Sequence, residues 1–311
     1  MDRIICVVGP TASGKTKLAV QLAKLYDGEV VSCDSMQIYK HMDIGTAKPT
    51  KEEMEGVAHH LIDMVEPGED FSAGKYVQLA DACVQDILSR GKTAVIAGGT
   101  GLYVDSLIAG RSFAPVPQTG RREALEAQLR ETGGEAMLAR LREIDPEAAA
   151  RLHPADEKRV IRALEVYEET GKTITQHNLE TKAAPPRYRP VWIGLDYQDR
   201  AALYRRIDLR VENMLSNGLL DEIRALLALG VSPKTTAMQA IGYKEFFGYL
   251  SGACSLDDAA ALCKQRSRNY AKRQLTWFRR NPDVHWLRMT GTEDFSEVLS
   301  AARQNIPFSA L

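Results

Sequence analysis

The chain has 311 residues, 44% hydrophobic and 26% charged, which suffices for a well-buried main domain carrying an insertion. Its 40 Lys and Arg balance 41 Asp and Glu to a formal charge of −1, which excludes a uniformly basic nucleic-acid binder and leaves only local patches for a polyanion. Five scattered cysteines (Cys6, Cys33, Cys83, Cys254, Cys263) form no CxxC pair and no zinc-ligand spacing, a usage that suits a reducing compartment. The chain starts in a strand with no basic-then-apolar leader, and no apolar run approaches the ~18–20 residues that span a bilayer. The expectation is a cytoplasmic protein without membrane contact.

In chain order, residues 3–8 (RIICVV) form a β-branched run short enough for a buried parallel strand. Residues 15–26 place Leu18, Ala19, Leu22 and Leu25 at helical spacing, and residues 29–33 (EVVSC) read as a second strand. Residues 71–90 read as a helix with Ser72 as N-cap and Gly91 just beyond its end. Residues 93–97 (TAVIA) form another strand, followed by Gly98, Gly99, Thr100, Gly101 and a further helix. Strands alternating with helices predict a parallel, doubly wound α/β sheet.

A Pro/Gly-rich linker is expected at 113–120, followed by charged helical text over 121–170 and a second loop over 181–190. A returning strand is expected at 191–195, helices over 199–229 and 255–280, and a last short strand at 284–287. The simplest organisation is an α/β core, 1–112 with 191–311, interrupted by a helical insertion at 113–190.

The segment Gly9, Pro10, Thr11, Ala12, Ser13, Gly14, Lys15 and Thr16 fits GxxxxGK[ST] without a mismatch, after a strand and at the start of a helix. Glycines there let backbone N–H groups and a helix N-terminus converge on phosphate oxygens, Lys15 adds a point charge, and Thr16 offers a hydroxyl to Mg²⁺. This is a P-loop. Asp34 follows the second strand, at the sheet edge where ligands bind. It reads as a general base beside the reacting centre, or more blandly as a helix N-cap or a magnesium-water ligand. Gly98 to Gly101 opens onto the same crevice, with Thr100 beside Asp34, although an ordinary turn with a threonine cap is an even match. No Walker-B aspartate or water-activating residue is evident.

Residues 264–280 (KQRSRNYAKRQLTWFRR) hold seven Lys or Arg and no acid, interleaved with Tyr270, Trp277 and Phe278. Arg266, Tyr270, Arg273, Trp277 and Arg280 fall near one helical face. A solvated charged face is the usual explanation; the lack of acids points instead to anion or RNA contact. Lys158 to Arg162 and the Arg121–Arg122 pair form further basic clusters. His59 and His60 lack a third ligand at metal spacing and read as core or loop residues, and Met36, Met42 and Met54 as packing residues.

GPTASGKT, DSMQIYKHMDIGTAKP (34–49), AGGTGLY, GKT at 171–173, IGYKE (241–245) and AKRQLTWFRR (271–280) together resemble the tRNA dimethylallyltransferase family over nearly the full length and in the family's order. The branch it resembles is bacterial, since no zinc-finger extension follows Leu311. The resemblance implies a P-loop NTPase-like parallel-sheet core with a helical tRNA-binding insertion. It also implies transfer of a dimethylallyl group from dimethylallyl diphosphate to N6 of adenosine-37, with Mg²⁺ as cofactor. Asp34 and Thr100 would then be catalytic, and Gly9 to Thr16 with Arg210 would hold the diphosphate. The tRNA contacts carried over are Asp34, Ser35, Met36, Gln37, Thr100, Arg122, Lys158, Arg159, Val160, Ile161, Arg162, Gln239, Gly242, Tyr243 and Lys244. No stable protein partner is implied. A small-molecule or nucleoside kinase shares the P-loop but leaves the long basic helix unexplained; a P-loop regulatory RNA binder needs no base at Asp34.

Overall fold

A computed structural model of the chain describes residues 2–111, 113, 119–183 and 185–307. Most of the linker expected at 113–120, namely residues 114–118, lies outside these. In chain order the elements are β1 (Ile4–Val8), α1 (Lys15–Leu25), β2 (Gly28–Ser32), α2 (Lys51–Met54), β3 (His59–His60), α3 (Ala73–Ser89), β4 (Thr93–Gly98), α4 (Gly101–Ala109), α5 (Arg121–Ile144), α6 (Pro146–Ala149), α7 (Glu157–Thr170) and α8 (Ile174–Ala183). They continue with β5 (Val191–Tyr197), α9 (Arg200–Ser216), α10 (Leu219–Ala228), a short 3₁₀ turn at Lys244–Phe246, α11 (Phe247–Leu250), α12 (Leu256–Phe278), β6 (Val284–Met289) and α13 (Phe295–Gln304).

The chain divides into two compact units: Met1–Ile108 with Tyr188–Leu311, and Ala109–Arg187. The first is built on a six-stranded sheet in the order β3-β2-β4-β1-β5-β6, every pair parallel. Strand alternation sorts the core into two faces. Ile4, Cys6 and Val8 pack on one side of β1 with Ala94 and Ile96, while Ile5 and Val7 pack on the other with Val95 and Leu18. Buried on both faces, these strands must be apolar throughout, which is why they read as continuous β-branched runs. Cys33 belongs to this core, and burial pushes its thiol up to about 12.

The register positions the site. Val8 lies beside Gly98 on β4, and Ser32 of β2 lies beside Ala97. The loops that begin at Gly9, Cys33 and Gly99 therefore leave the same sheet edge at nearly the same level, the edge where parallel sheets bind ligands.

The second unit is helical. α5 and α7 enclose a small core of Leu125, Met137, Leu138, Leu141, Val160, Ile161 and Leu164. The GKT segment at 171–173 is a helix junction: Gly171 (φ 69°) ends α7, and Thr173 and Gln176 exchange side-chain-to-backbone hydrogen bonds that start α8.

Several elements depart from expectation. His59 and His60 form an edge strand against Val30 and Val31, too short for alternation to reveal it. The helix expected over 199–229 is two helices, because Gly218 (φ 95°) takes a left-handed conformation between them. The strand at 191 runs on to Tyr197, and α13 was not anticipated. Among the described residues no helix is long and apolar enough to cross a membrane.

Candidate functional site

The loop between β1 and α1 is shaped by its own side chains and by two helices, α9 and α12. Ala12 (φ 61°) and Gly14 (φ 88°) take left-handed conformations that curl the backbone into a concave turn. The Ser13 hydroxyl and the Lys15 ammonium both donate to the Pro10 carbonyl, at 2.8 and 2.6 Å. Arg206 of α9 donates to the Ala12 carbonyl at 2.9 Å, and the Thr11 N–H donates to Gln274 of α12 at 2.8 Å. Burial, then the nearby Arg210 guanidinium, pulls the Lys15 ammonium down to about 7, with Asp34 acting in the opposite sense.

Asp34 follows β2 and Thr100 follows the adjacent β4; Thr100 is bonded to the residues on either side of Asp34 but lines neither of the adjoining cavities. The Thr100 N–H donates to the Cys33 carbonyl at 3.2 Å, and its hydroxyl oxygen accepts the Ser35 N–H at 3.1 Å. One Asp34 oxygen accepts the Met36 N–H at 2.9 Å, so the carboxylate also fixes the turn that carries it. Arg210 donates to the Thr46 carbonyl at 3.2 Å, and burial lowers its guanidinium below the usual value while Asp34 raises it. Tyr270 stands close enough to be held protonated by burial first and by Asp34 second, and it shares a hydrogen bond with Thr100.

Two adjoining cavities meet at these residues. A polar cleft of about 660 Å³ is lined by the phosphate loop, Asp34, Gln37, Asp43, Lys48, Arg206, Arg210 and Gln274. A recess of about 250 Å³ has an apolar wall from Ile207, Val211, Met214, Ala240 and Ile241, with Ser267, Tyr270 and Arg273 on the α12 side. Thr11, Asp34, Arg210, Met214 and Tyr270 border both. Such a shape receives an anionic head and an apolar tail, with a carboxylate and a guanidinium where they join.

The residues expected to contact tRNA divide into two kinds. Ser35 and Met36 line the recess, and Gln37 lines the cleft while donating to the Ala47 carbonyl at 3.2 Å. Gly242 also lines the recess, Lys244 is exposed, and Gln239 donates to the Pro233 carbonyl at 2.8 Å. In the helical unit Lys158 and Arg159 are exposed, Arg162 pairs with Glu165 at 2.8 Å, and Arg122 reaches Glu126 and Glu165. Three expectations need correction. Val160 and Ile161 face the core of the helical unit, because they lie four and three places before the buried Leu164 and share its helical face. The Tyr243 side chain is fully buried. All three are packing residues rather than surface contacts.

Part of the basic run of α12 is paired within its own unit, while Tyr270 and Arg273 of the expected face line the recess. Lys264, Arg268 and Arg279 pair with Glu212, Asp208 and Asp196 of the same unit at 2.6 to 2.7 Å. Arg280 lies over the Trp277 ring, and the Trp277 indole donates to Asp105 at 2.8 Å. Sequence reasoning missed Gln274, Arg206 and Glu222. For Gln274 a signal existed: Ala271, Leu275 and Phe278 form a buried helical stripe, and Gln274 is the polar residue set within it. Among the described residues no group of three or more His, Cys, Asp or Glu could hold a metal ion.

The model of a family described as IPP transferase matches residues 37–281. A tRNA dimethylallyltransferase of Acetivibrio thermocellus is 49% identical over 288 residues, 92% of each chain. One from Caldanaerobacter subterraneus subsp. tengcongensis is 46% identical, covering 98% of this chain and 96% of its own. Among solved structures, a tRNA isopentenylpyrophosphate transferase from Bacillus halodurans is 43% identical, with a TM-score of 0.73 over 98% of this chain and 95% of its own. A eukaryotic dimethylallyltransferase acting on tRNA is 30% identical, with a TM-score of 0.83 over 98% of this chain and 77% of its own.

Proposed function

The chain belongs to the IPP transferase family of tRNA dimethylallyltransferases, and from that premise we infer that its two adjoining cavities serve one reaction, transfer of a dimethylallyl group from dimethylallyl diphosphate to tRNA. The observation that carries this reading is the seam: Asp34 and Arg210 border both the phosphate-loop cleft and the apolar recess. The diphosphate fits the cleft and the five-carbon group points toward the seam. The acceptor is the N6 amino group of adenosine-37, next to the anticodon, and that base must leave its stack to reach Asp34.

As the allylic C–O bond breaks, negative charge grows on the departing diphosphate. The N–H groups from Ala12 to Thr16, the Lys15 ammonium and the Arg210 guanidinium would meet that charge as it develops. The amino nitrogen forms the new N–C bond and loses a proton, which Asp34 takes up, with the Thr100 hydroxyl positioned beside the same nitrogen. Thr16 would hold Mg²⁺ by its hydroxyl. Phosphate oxygens and water would supply the ion's other ligands, the usual arrangement for magnesium at a phosphate site. When bound, the ion neutralises part of the charge on the leaving group.

Ser35, Met36, Gln37, Gln239, Gly242 and Lys244 would guide the anticodon loop, and Arg122, Lys158, Arg159 and Arg162 would contact its phosphates. A tRNA substrate also implies a cytoplasmic enzyme. Labelled dimethylallyl diphosphate with bulk tRNA and Mg²⁺, run beside labelled ATP with the same tRNA, tests the reading. Label in tRNA only from the first mixture is expected. Phosphate release from ATP with no prenyl transfer would overturn it in favour of a kinase.

A further inference from the structure

Gln274 projects from α12 into the gap between two ligand-facing turns and is 5% exposed. Its Oε1 accepts the Thr11 N–H at 2.8 Å, and its Nε2 donates to the Gly99 carbonyl at 2.9 Å. The backbone leaves no choice in the orientation of the amide, because one partner can only donate and the other can only accept. The fit is close: a Cβ on Gly99 would lie 2.0 Å from Nε2, so only glycine admits the contact. Gly99 is followed by Thr100, whose backbone and hydroxyl are tied to Cys33 and Ser35 on either side of Asp34.

We propose that Gln274 is a positioning residue that sets the spacing between the phosphate loop and the Gly99–Thr100 turn, and so the distance from the diphosphate to the Asp34–Thr100 pair. This rests on the reading of the cleft as the diphosphate site. The physical argument is that a two-headed amide acts as a spacer of defined length. Reaction rates respond steeply to such spacing, since about 1 Å of misplacement can cost on the order of a hundredfold. Affinity for the diphosphate depends mainly on Lys15, Arg210 and loop N–H groups that Gln274 leaves in place.

Two variants test this. Gln274→Met keeps the length and fills the space but joins neither turn. Its single-turnover transfer rate at saturating substrates should fall by roughly tenfold or more, while its affinity for magnesium diphosphate changes by less than about threefold. A residue that merely packs would lower the melting temperature and leave the saturated rate intact. Gln274→Glu adds a signature that packing cannot produce. As a protonated acid it reproduces the amide, donating to Gly99 and accepting from Thr11; as a carboxylate it opposes the Gly99 carbonyl. Burial raises the pKa of such a group above about 4.3, toward neutrality.

The ratio of Gln274→Glu to wild-type rate should therefore rise about fivefold or more between roughly pH 8.5 and pH 6. Lys15, Arg206, Arg210, Asp34 and Tyr270 carry charge or titrate in the same cleft and are common to both proteins, so the ratio removes their direct effect. A Gln274→Met rate within about threefold of wild type overturns the proposal. A pH-independent Gln274→Glu ratio does the same. A wild-type enzyme that labels no tRNA overturns the functional reading itself, which separates the two failures.

Discussion

Tyr243 donates its phenolic hydrogen to the Glu222 carboxylate at 2.6 Å, and that carboxylate also accepts the N–H groups of Asp43, Ile44 and Gly45 at 2.7 to 3.0 Å. A Cβ on Gly45 would come within 2.4 Å of the Tyr243 ring. Together they brace the segment whose Gly45 and Thr46 line the recess and whose Asp43 and Ile44 line the cleft.

Removing only the hydroxyl, as in Tyr243→Phe, should cost about 1 kcal/mol, because Glu222 keeps its three backbone donors. Glu222→Ala leaves those donors without their acceptor and should cost roughly 2 kcal/mol or more. Urea denaturation midpoints compare the two. Equal losses would mean that the phenol, and not the carboxylate, anchors the segment.

Lys15 carries a pH dependence of definite sign. Its pKa is lowered from 10.5 to about 7 in the folded protein, by burial first and Arg210 second. Between those values the unfolded chain binds more protons than the folded one, so ligand-free stability should rise with pH across that window. A bound diphosphate draws the proton back, so its affinity should weaken above about pH 7 by up to roughly tenfold per unit, with proton uptake in calorimetry. Lys15→Met should abolish both trends and most of the activity. A stability profile unchanged by that substitution would count against the lowered pKa.

Asp34→Asn keeps the size of the side chain and an acceptor for the Met36 N–H, but cannot take a proton. If Asp34 is the base, single-turnover transfer falls by roughly 10²–10⁴-fold with both substrates still bound. Recovery of the rate at high Mg²⁺ would reassign Asp34 to the magnesium shell. Weaker tRNA binding with normal chemistry at saturation would make it a positioning contact.

Replacing Lys158, Arg159 and Arg162 together with Gln should weaken tRNA binding and flatten its salt dependence, by roughly 0.7–0.9 in log–log slope per lost phosphate contact. Affinity for dimethylallyl diphosphate should not change, since every residue lining the cleft and recess belongs to the other unit. An unaltered slope would mark these residues as an ordinary solvated face. Val160 and Ile161 are the internal contrast: truncating either should lower stability, by roughly 0.5–1.5 kcal/mol for Ile161→Val, without touching the slope.

The phosphate loop was legible in the sequence because its physics is local. Eight consecutive residues between a β-branched run and an amphipathic helix dictate their own backbone path, and strand ends in a parallel sheet share one edge, which made Asp34 and Thr100 legible as its neighbours. The apolar recess was not legible, because α9, the 240–242 segment and α12 form it only after they pack on the sheet. Gln274 meets Thr11 across 263 positions of sequence, and no periodicity within either segment encodes that meeting. Tyr243 and Tyr270 make the same point with one residue type. Both lie within residues 37–281, the stretch that the family model matches, yet one is a fully buried brace on Glu222 and the other borders both cavities beside Asp34. Side-chain identity set what each tyrosine could do. Which partner it found was decided by sheet register and helix packing, since a hydrogen bond is specified by both of its ends and the chain places those ends far apart.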